Sequence, residues 1–309
     1  MASWPNTLLT FRPLPRKSEV VSGSGRHPVL GGIRKHVRAN YTKAALRWRC
    51  NEYPYAALIS MIDARARALQ LKGVRAGETI ALPAARGIET VVDVAALWSL
   101  ASAPMMIRAS QSSPLLGETA VRARVAGILG PDGEYVRTNL VSRLQPDGTA
   151  PALFLNPCGR PEGMSIHAIT AAQMAELTQL AQKVFSVGDR TVLALSDAVD
   201  ESFAFTLAVL ANGGTVDMID DSTARDAAML VRHLNESAVD LVHLTPPALQ
   251  MLSTARTTHA GAGGVRDLIL PDGAGAGNGL VARYFPFAKI HHFPESRGAR
   301  GTWSLMSCA

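Results

Sequence analysis

The stretch TVLALSDAVDESFAFTLAVLANGGTVDMI, residues 191–219, holds one complete unit of the pattern that decides the fold. Thr191–Leu195 is a short aliphatic run, Glu201–Ala211 carries apolar residues at helical spacing, and Thr215–Ile219 is a second apolar run. Gly213-Gly214 supplies the turn between helix and strand. One helix between two buried strands implies a right-handed crossover, which lays the strands parallel in a sheet covered on both faces.

The same alternation extends outward from this unit. A helix is predicted over Ala168–Val184 before it. After it come a helix over Ala224–Glu236, a strand over Asp240–His243 and a helix over Pro247–Thr254. A strand at Asp267–Leu270, a helix at Gly279–Phe285 and a strand at Lys289–His292 close the series. Nearer the N-terminus, a helix spans Tyr55–Leu71 with Gly73 as its C-cap. A strand at Thr79–Leu82 and a helix at Glu89–Leu100 follow. The turn-rich stretch QPDGTAP at residues 145–151 suggests a boundary. We therefore expect a partly disordered leader over 1–28, a first α/β subdomain over 29–150 and a second over 151–309.

Composition narrows the function classes. With 47% hydrophobic and 18% charged residues among 309, the chain is suited to a packed core and not to wholesale disorder. The net charge of +6 is spread along the sequence, apart from a cluster at Arg26, Arg34, Lys35, Arg38, Lys43, Arg47 and Arg49. No RNA-binding signature accompanies that cluster, so it reads as a solvated face and no nucleic-acid partner is expected. Cys50, Cys158 and Cys308 share no metal-ligand spacing and are expected as reduced thiols. The N-terminus lacks the apolar core of a secretory signal. The longest apolar run, Val91–Leu100, is interrupted by Asp93 and too short to cross a bilayer. The expectation is a cytoplasmic protein with no membrane partner.

Five stretches, in order, resemble the adenylate-forming superfamily, above all the amino-acid-activating adenylation domains of nonribosomal peptide synthetases. Tyr53–Ile107 is similar to the family's opening helix, turn, strand and second helix. GRPEGMSIHA (Gly159–Ala168) resembles the end of its phosphate-binding loop. Val199-Asp200-Glu201-Ser202 stands where the family has Phe-Asp-x-Ser, and HLTPPALQML (His243–Leu252) is similar to another of its segments. His291-His292-Phe293-Pro294-Glu295-Ser296-Arg297 stands where it has Asn-x-Tyr-Gly-Pro-Thr-Glu. The resemblance implies an α/β fold with two stacked, mostly parallel sheets flanked by helices. That is the N-terminal core of the adenylate-forming fold, without the family's C-terminal lid. It also implies that Asp200 pairs with a substrate α-amino group; its other reading is a helix N-terminal acid favoured by the dipole.

The departures bear on chemistry. The family's phosphate loop is a Ser/Thr/Gly run ending in Gly-x-Pro-Lys-Gly, in which backbone N–H groups, hydroxyls and a lysine face the triphosphate. Here residues 153–163 read LFLNPCGRPEG: the hydroxyls are gone, Pro157 removes a donor, and Glu162 stands where the lysine belongs. A carboxylate there replaces attraction by repulsion, with Arg160 as a partial offset. At the last motif Phe293 keeps the aromatic that stacks on adenine. Either Arg297, which offers only donors, or Glu295 takes the Mg²⁺-ligand position.

We therefore expect no catalytic residue, no bound metal, and weak or no ATP–Mg²⁺ binding at a remnant nucleotide site of Gly159, Arg160, Gly163 and Phe293. The implied role is a pseudo-adenylation protein that binds or scaffolds within a natural-product pathway. Its partners would be a carrier protein, a peptide synthetase module, a second copy of itself or an amino-acid-like ligand. The alternative is half of a split adenylating ligase with its lid supplied in trans. An apolar surface near Phe285, Phe287, Phe293 and Trp303 is expected to carry the protein contact. His243 reads as a structural histidine and Cys158 as a small loop residue. His291 and His292, adjacent on a strand, would face opposite ways and hold no metal together.

Overall fold

The chain builds its core by alternation of the smallest kind. In the strand Thr79–Ala84, Ile80 and Leu82 point into one hydrophobic cluster and Ala81 into another. The computed structural model describes residues 27–39, 41–108, 123–130, 133–139, 151–155, 167–195, 201–255, 261–271, 278–293 and 306–307. The leader over 1–26 lies outside them.

Among the described residues the order is α1 (Pro28–Ala39), β1 (Ala44–Trp48), β2 (Asn51–Pro54), α2 (Tyr55–Leu71), β3 (Thr79–Ala84), α3 (Ile88–Ser99) and β4 (Ala103–Arg108). Then come β5 (Val125–Leu129), β6 (Tyr135–Arg137), β7 (Pro151–Leu155), β8 (His167–Thr170), α4 (Ala171–Phe185), β9 (Thr191–Ala194), α5 (Glu201–Ala211) and β10 (Thr215–Met218). Last are α6 (Asp221–Ala224), α7 (Ala227–Glu236), β11 (Leu241–His243), α8 (Pro246–Thr254), β12 (Asp267–Pro271), α9 (Asn278–Tyr284), β13 (Lys289–Phe293) and β14 (Met306–Ser307).

These strands form an eight-stranded sheet, β14-β13-β12-β11-β9-β10-β1-β2, and a six-stranded sheet, β6-β5-β3-β4-β7-β8. Each has a parallel centre closed at both edges by an antiparallel strand: β2 and β14 in the larger, β6 and β8 in the smaller. The sheets do not divide at residue 150. β1 and β2 lie in the larger sheet, and β7 and β8 in the smaller one.

Helices α1 to α5 fill the layer between the sheets. Leu82, Leu153 and Leu155 of the smaller sheet join the same cluster as Leu46, Val192, Val216 and Ile269 of the larger. The opposite face of the larger sheet, with Leu193, Leu268 and Leu270, packs under α7, α8 and α9 through Leu230, Leu234, Leu252 and Tyr284.

Two expected helices are cut by local hydrogen bonding. Ala168–Thr170, placed in a helix by spacing, instead pairs with β7. Thr170 caps α4: its hydroxyl accepts from Gln173 N (3.2 Å) while the Gln173 side chain accepts from Thr170 N (2.8 Å). The helix expected over Ala224–Glu236 begins only at Ala227. Asp226 accepts from Met229 N and so acts as an N-cap, as Asp220 does for α6.

The expected apolar surface is not one surface. Phe285 is 2% exposed, inside the core, whereas Phe287 is 77% exposed. Phe287 precedes β13 and Phe293 ends it, so the strand's length, roughly 16 Å, separates them. The outer side of β13 is covered by β14, and Trp303 lies outside the described residues. Three members of the basic cluster are tied down. Arg34 pairs with Asp63 (2.6 Å), Lys43 donates to Gly188 O, and Arg47 reaches Glu52 (2.9 Å) and Ser237 O (3.2 Å).

Two adjacent glycines of α1 separate propensity from packing. A Cβ on Gly31 meets nothing within 4 Å, while one on Gly32 would lie 2.4 Å from Ala211 O. Gly31→Ala is expected to stabilise by up to about 1 kcal/mol through helix propensity. Gly32→Ala is expected to destabilise by roughly 1–3 kcal/mol, because the clash outweighs the same gain. Urea unfolding of both variants checks the contrast.

Candidate functional site

In a parallel α/β sheet the loops that carry chemistry leave the C-terminal ends of the strands. Here β9, β11, β12 and β13 run parallel, so their C-terminal ends share one edge of the larger sheet. Residues 196–200 follow β9, Leu244 and Thr245 follow β11, residues 272–277 follow β12, and residues 294–300 follow β13.

The sequence-predicted site residues fall mostly beyond what is described. Asp200, Gly159, Arg160 and Gly163 lie outside the described residues, as do Cys158, Glu162, Glu295 and Arg297. Phe293 is the last residue of β13, its backbone in register with Pro271. Asp200 immediately precedes α5, and Gly159, Arg160 and Gly163 follow β7.

The described side chains beside this edge are buried and aromatic. His243, Ile269 and His291 are in register on three adjacent strands. The His243 ring meets Phe205 edge-on (5.7 Å, 90°) and His291 meets Phe185 (4.8 Å, 77°). Phe185 and Phe205 contact each other at 5.9 Å and 88°. Both histidines thus sit against helices α4 and α5 in the inter-sheet layer, which agrees with a structural role for His243. His291 is committed as well: its Nε2 lies 2.7 Å from Asp267 Oδ1. At the first turn of α5, the Thr206 hydroxyl donates to Ser202 O (3.0 Å), and both residues are buried.

Asp267 anchors this row from the opposite end of the sheet. Burial alone would raise its pKa, but the Arg190 guanidinium and His291 outweigh burial and hold the carboxyl below its ordinary range. Asp240, 3.9 Å from the same guanidinium, is shifted the other way by burial, which its arginine neighbours only partly offset.

Arg86 was not legible as a site residue in the sequence. It stands in the turn after β3, in the smaller sheet, yet its Nη1 donates to Leu195 O at the end of β9 in the larger one. Its Nε donates to Asp221 Oδ1 at 2.8 Å. The C-terminal edges of the two sheets therefore meet at this side chain. The smaller sheet's strand β7, which leads into residues 156–166, is held by the Trp98 indole donating to Ala152 O at 2.6 Å. Among the described residues no group of three or more His, Cys, Asp or Glu could hold a metal. No described helix is long and apolar enough to cross a membrane.

No family model and no curated protein matches the sequence. Solved structures do match the architecture. The N-terminal subdomain of Klebsiella oxytoca NpsA, in complex with anthranilyl-AMSN, superposes with a TM-score of 0.73 at 16% identity. The match covers 90% of this chain and 76% of that one. VinN in complex with L-aspartate gives 0.73 at 16%, covering 90% and 78%. The nonribosomal peptide synthetase FmoA3, in an AMPPNP-bound form, gives 0.72 at 15%, covering 90% of this chain and 32% of that one. The chain has the fold of the N-terminal adenylation core. The two stacked sheets expected from the sequence are present; residues 156–166 follow β7 of the smaller sheet, and residues 196–200 and 294–300 follow β9 and β13 of the larger.

One titrating group supports that edge from below. His27 stacks on Trp98, on the residue that holds β7, with ring centroids 3.7 Å apart and planes 11° off parallel. The residue keeps some exposure, but both ring nitrogens are buried without a partner among the described residues. Burial lowers its pKa to about 3. The unfolded chain binds a proton near pH 6.5 and the folded chain does not, so stability falls as pH drops below 6.5. The His27 contribution to that loss is expected to reach about 2 kcal/mol between pH 7 and pH 5. The stacking variant His27→Phe should lack it, as urea unfolding at the two pH values would show.

Proposed function

We propose that this adenylation core binds an amino-acid-like or aryl carboxylic acid and a partner protein without forming an adenylate. The observation that carries the reading is the run Leu153–Gly163. It has no hydroxyl, places Pro157 where a donor N–H would serve, and puts Glu162 where a lysine would face the triphosphate. Removing a cation and adding an anion at such a position changes the sign of the interaction with a polyphosphate, and one nearby arginine, Arg160, offsets only part of it. The residues present do not fit an ATP–Mg²⁺ site.

The acid-binding half of the reading draws on the matched structures, which hold an anthranilyl compound and L-aspartate. It also draws on Asp200, which precedes α5 and would pair with an α-amino group. In this reading the protein is a cytoplasmic pseudoenzyme of a natural-product pathway, and its partner is a carrier protein, a peptide synthetase module or a second copy of the chain. Arg160 favours a second reading, half of a split adenylating ligase with its lid supplied in trans, in which arginine takes over the phosphate contact.

Isothermal titration is expected to show ATP–Mg²⁺ binding weaker than about 1 mM, a free energy smaller in magnitude than about 4 kcal/mol. Amino-acid-dependent pyrophosphate exchange should be absent for every acid tested. Micromolar ATP affinity together with exchange would replace the first reading by the second.

A further inference from the structure

We propose that the turn over residues 285–288, with the Phe287 ring at its tip and Arg266 and Lys289 beside it, is a docking surface for an acidic segment of a partner protein. The inference rests on the partner half of the reading given above and names where that partner sits. Nucleotide and acid binding bear on the other half, so each can fail without the other.

The ring is held out on a firm support. Phe285 is buried, Ala288 packs against the same core cluster, and Ala288 N donates to Phe285 O at 3.2 Å. Pro286 takes the second place of that turn, where its fixed φ suits the backbone. Both ends of the turn are pinned in the core, and Phe287, 77% exposed, is carried between them.

The approach to the ring is bare. Ala262 N donates to Tyr284 O at 2.6 Å, which lays residues 261–264 along the turn. Gly263 and Gly264 are exposed there. A Cβ on Gly263 would meet only Phe287 Cε2, at 3.9 Å, and one on Gly264 only Val239 O, at 3.8 Å. Both are ordinary contact distances, so packing does not demand glycine at either place. A larger side chain would shade the ring, and glycine leaves it open to a partner.

The free charge beside it has one sign. Lys289 N donates to Arg266 O at 2.7 Å, so these two exposed cations stand side by side at the starts of β12 and β13. Neither forms an ion pair with a described residue. The acids at this end of the sheet are engaged elsewhere: Asp267 pairs with Arg190 and His291, and Asp240 stands 3.9 Å from the same guanidinium. Arg266 acts on Asp240 only at longer range. An exposed ring beside unpaired cations complements an apolar pocket rimmed by carboxylates. One ring and two cations are too little for stable attachment to lipid, whereas a pocket closing round a ring is a common anchor between proteins.

The place suits a scaffold. The turn precedes β13, and the C-terminal edge of the sheet lies at the other end of that strand, roughly 16 Å away. A partner held at Phe287 leaves that edge uncovered.

The test uses the full-length protein, with a phage-displayed library of random peptides as the probe. Selected peptides should be rich in Asp and Glu around an apolar residue. The tightest of them, synthesised, should bind about thirtyfold more weakly to Phe287→Ala. The double variant Arg266→Glu, Lys289→Glu should bind it about tenfold more weakly, and added salt should weaken the wild type far more than that variant. Both variants should unfold in urea as the wild type does, because the altered side chains are exposed. Peptides that lack acidic bias, or that bind Phe287→Ala as well as wild type, overturn this surface and leave the partner reading standing. If no peptide is enriched, both fall. Binding to vesicles of phosphatidylcholine and phosphatidylserine in equal parts that is lost in Phe287→Ala would overturn the proposal in favour of lipid. A dimer seen by light scattering and lost in the same variant would overturn it in favour of a second copy.

Discussion

Helix α5 has no solvent face. From Phe203 to Ala211 every residue is buried, and the two sheets can stack only because this helix, with α1 to α4, keeps water out of the space between them. A helix buried all round must satisfy its polar backbone without water at its C-terminal end. Here the Tyr55 hydroxyl lies 2.9 Å from Leu210 O and 2.7 Å from Gly214 O, and Asn212 Nδ2 donates to Thr178 O and Ala208 O. Gly32 of α1 passes so close to Ala211 O that no side chain fits. Helix α5 is thereby locked by α1 and α2, elements far away in sequence.

That constraint explains which parts of the fold were legible. The α5 segment was placed at Glu201–Ala211, because its uniform apolarity and the Gly213-Gly214 stop are both local signals. The parallel strands of the larger sheet were visible for the same reason, each a short aliphatic run between helices. The β1–β2 hairpin and strands β4 to β8 were not: they are as short as the strands that were read, but among the described residues no helix separates one from the next, so the helix–strand alternation that marks the others is missing. The capping aspartates that cut the helix before Ala227 were visible as residues but not as caps, because capping against continuation is decided by tertiary context. The candidate site was legible as motif positions only. Arg86 carries no local signal at all, because its role depends on the separation of two sheets.

The two ends of the larger sheet are held by different means. Toward the N-terminal ends of β9 and β12, Arg190 pairs with Asp267, which also binds His291 of mid-β13, while Asp240 stands 3.9 Å from the same guanidinium. Part-buried pairs of this kind cost desolvation, so they favour one strand register over others more than they add stability. At the C-terminal ends the charged side chain that holds β9 is Arg86, which ties it to the smaller sheet. An edge held by one side chain can differ in loop sequence without loss of the core, whereas the end held by a charged group cannot.

This asymmetry bears on how the adenylation fold persists at 15–16% identity while the phosphate-loop residues depart from the family pattern. The core asks of each position only that it be apolar and about the right size, a demand many sequences meet. A triphosphate asks for a particular sign of charge at a particular atom, a demand that one substitution can reverse. Residues 156–163 stand between β7 and β8 in sequence, and the pairing of those strands is set by Pro151–Leu155 against His167–Thr170. In the reading proposed above, a change of charge at residue 162 would cost the nucleotide chemistry a great deal, whereas the packing of α5 asks for apolar volume and not for a sign of charge.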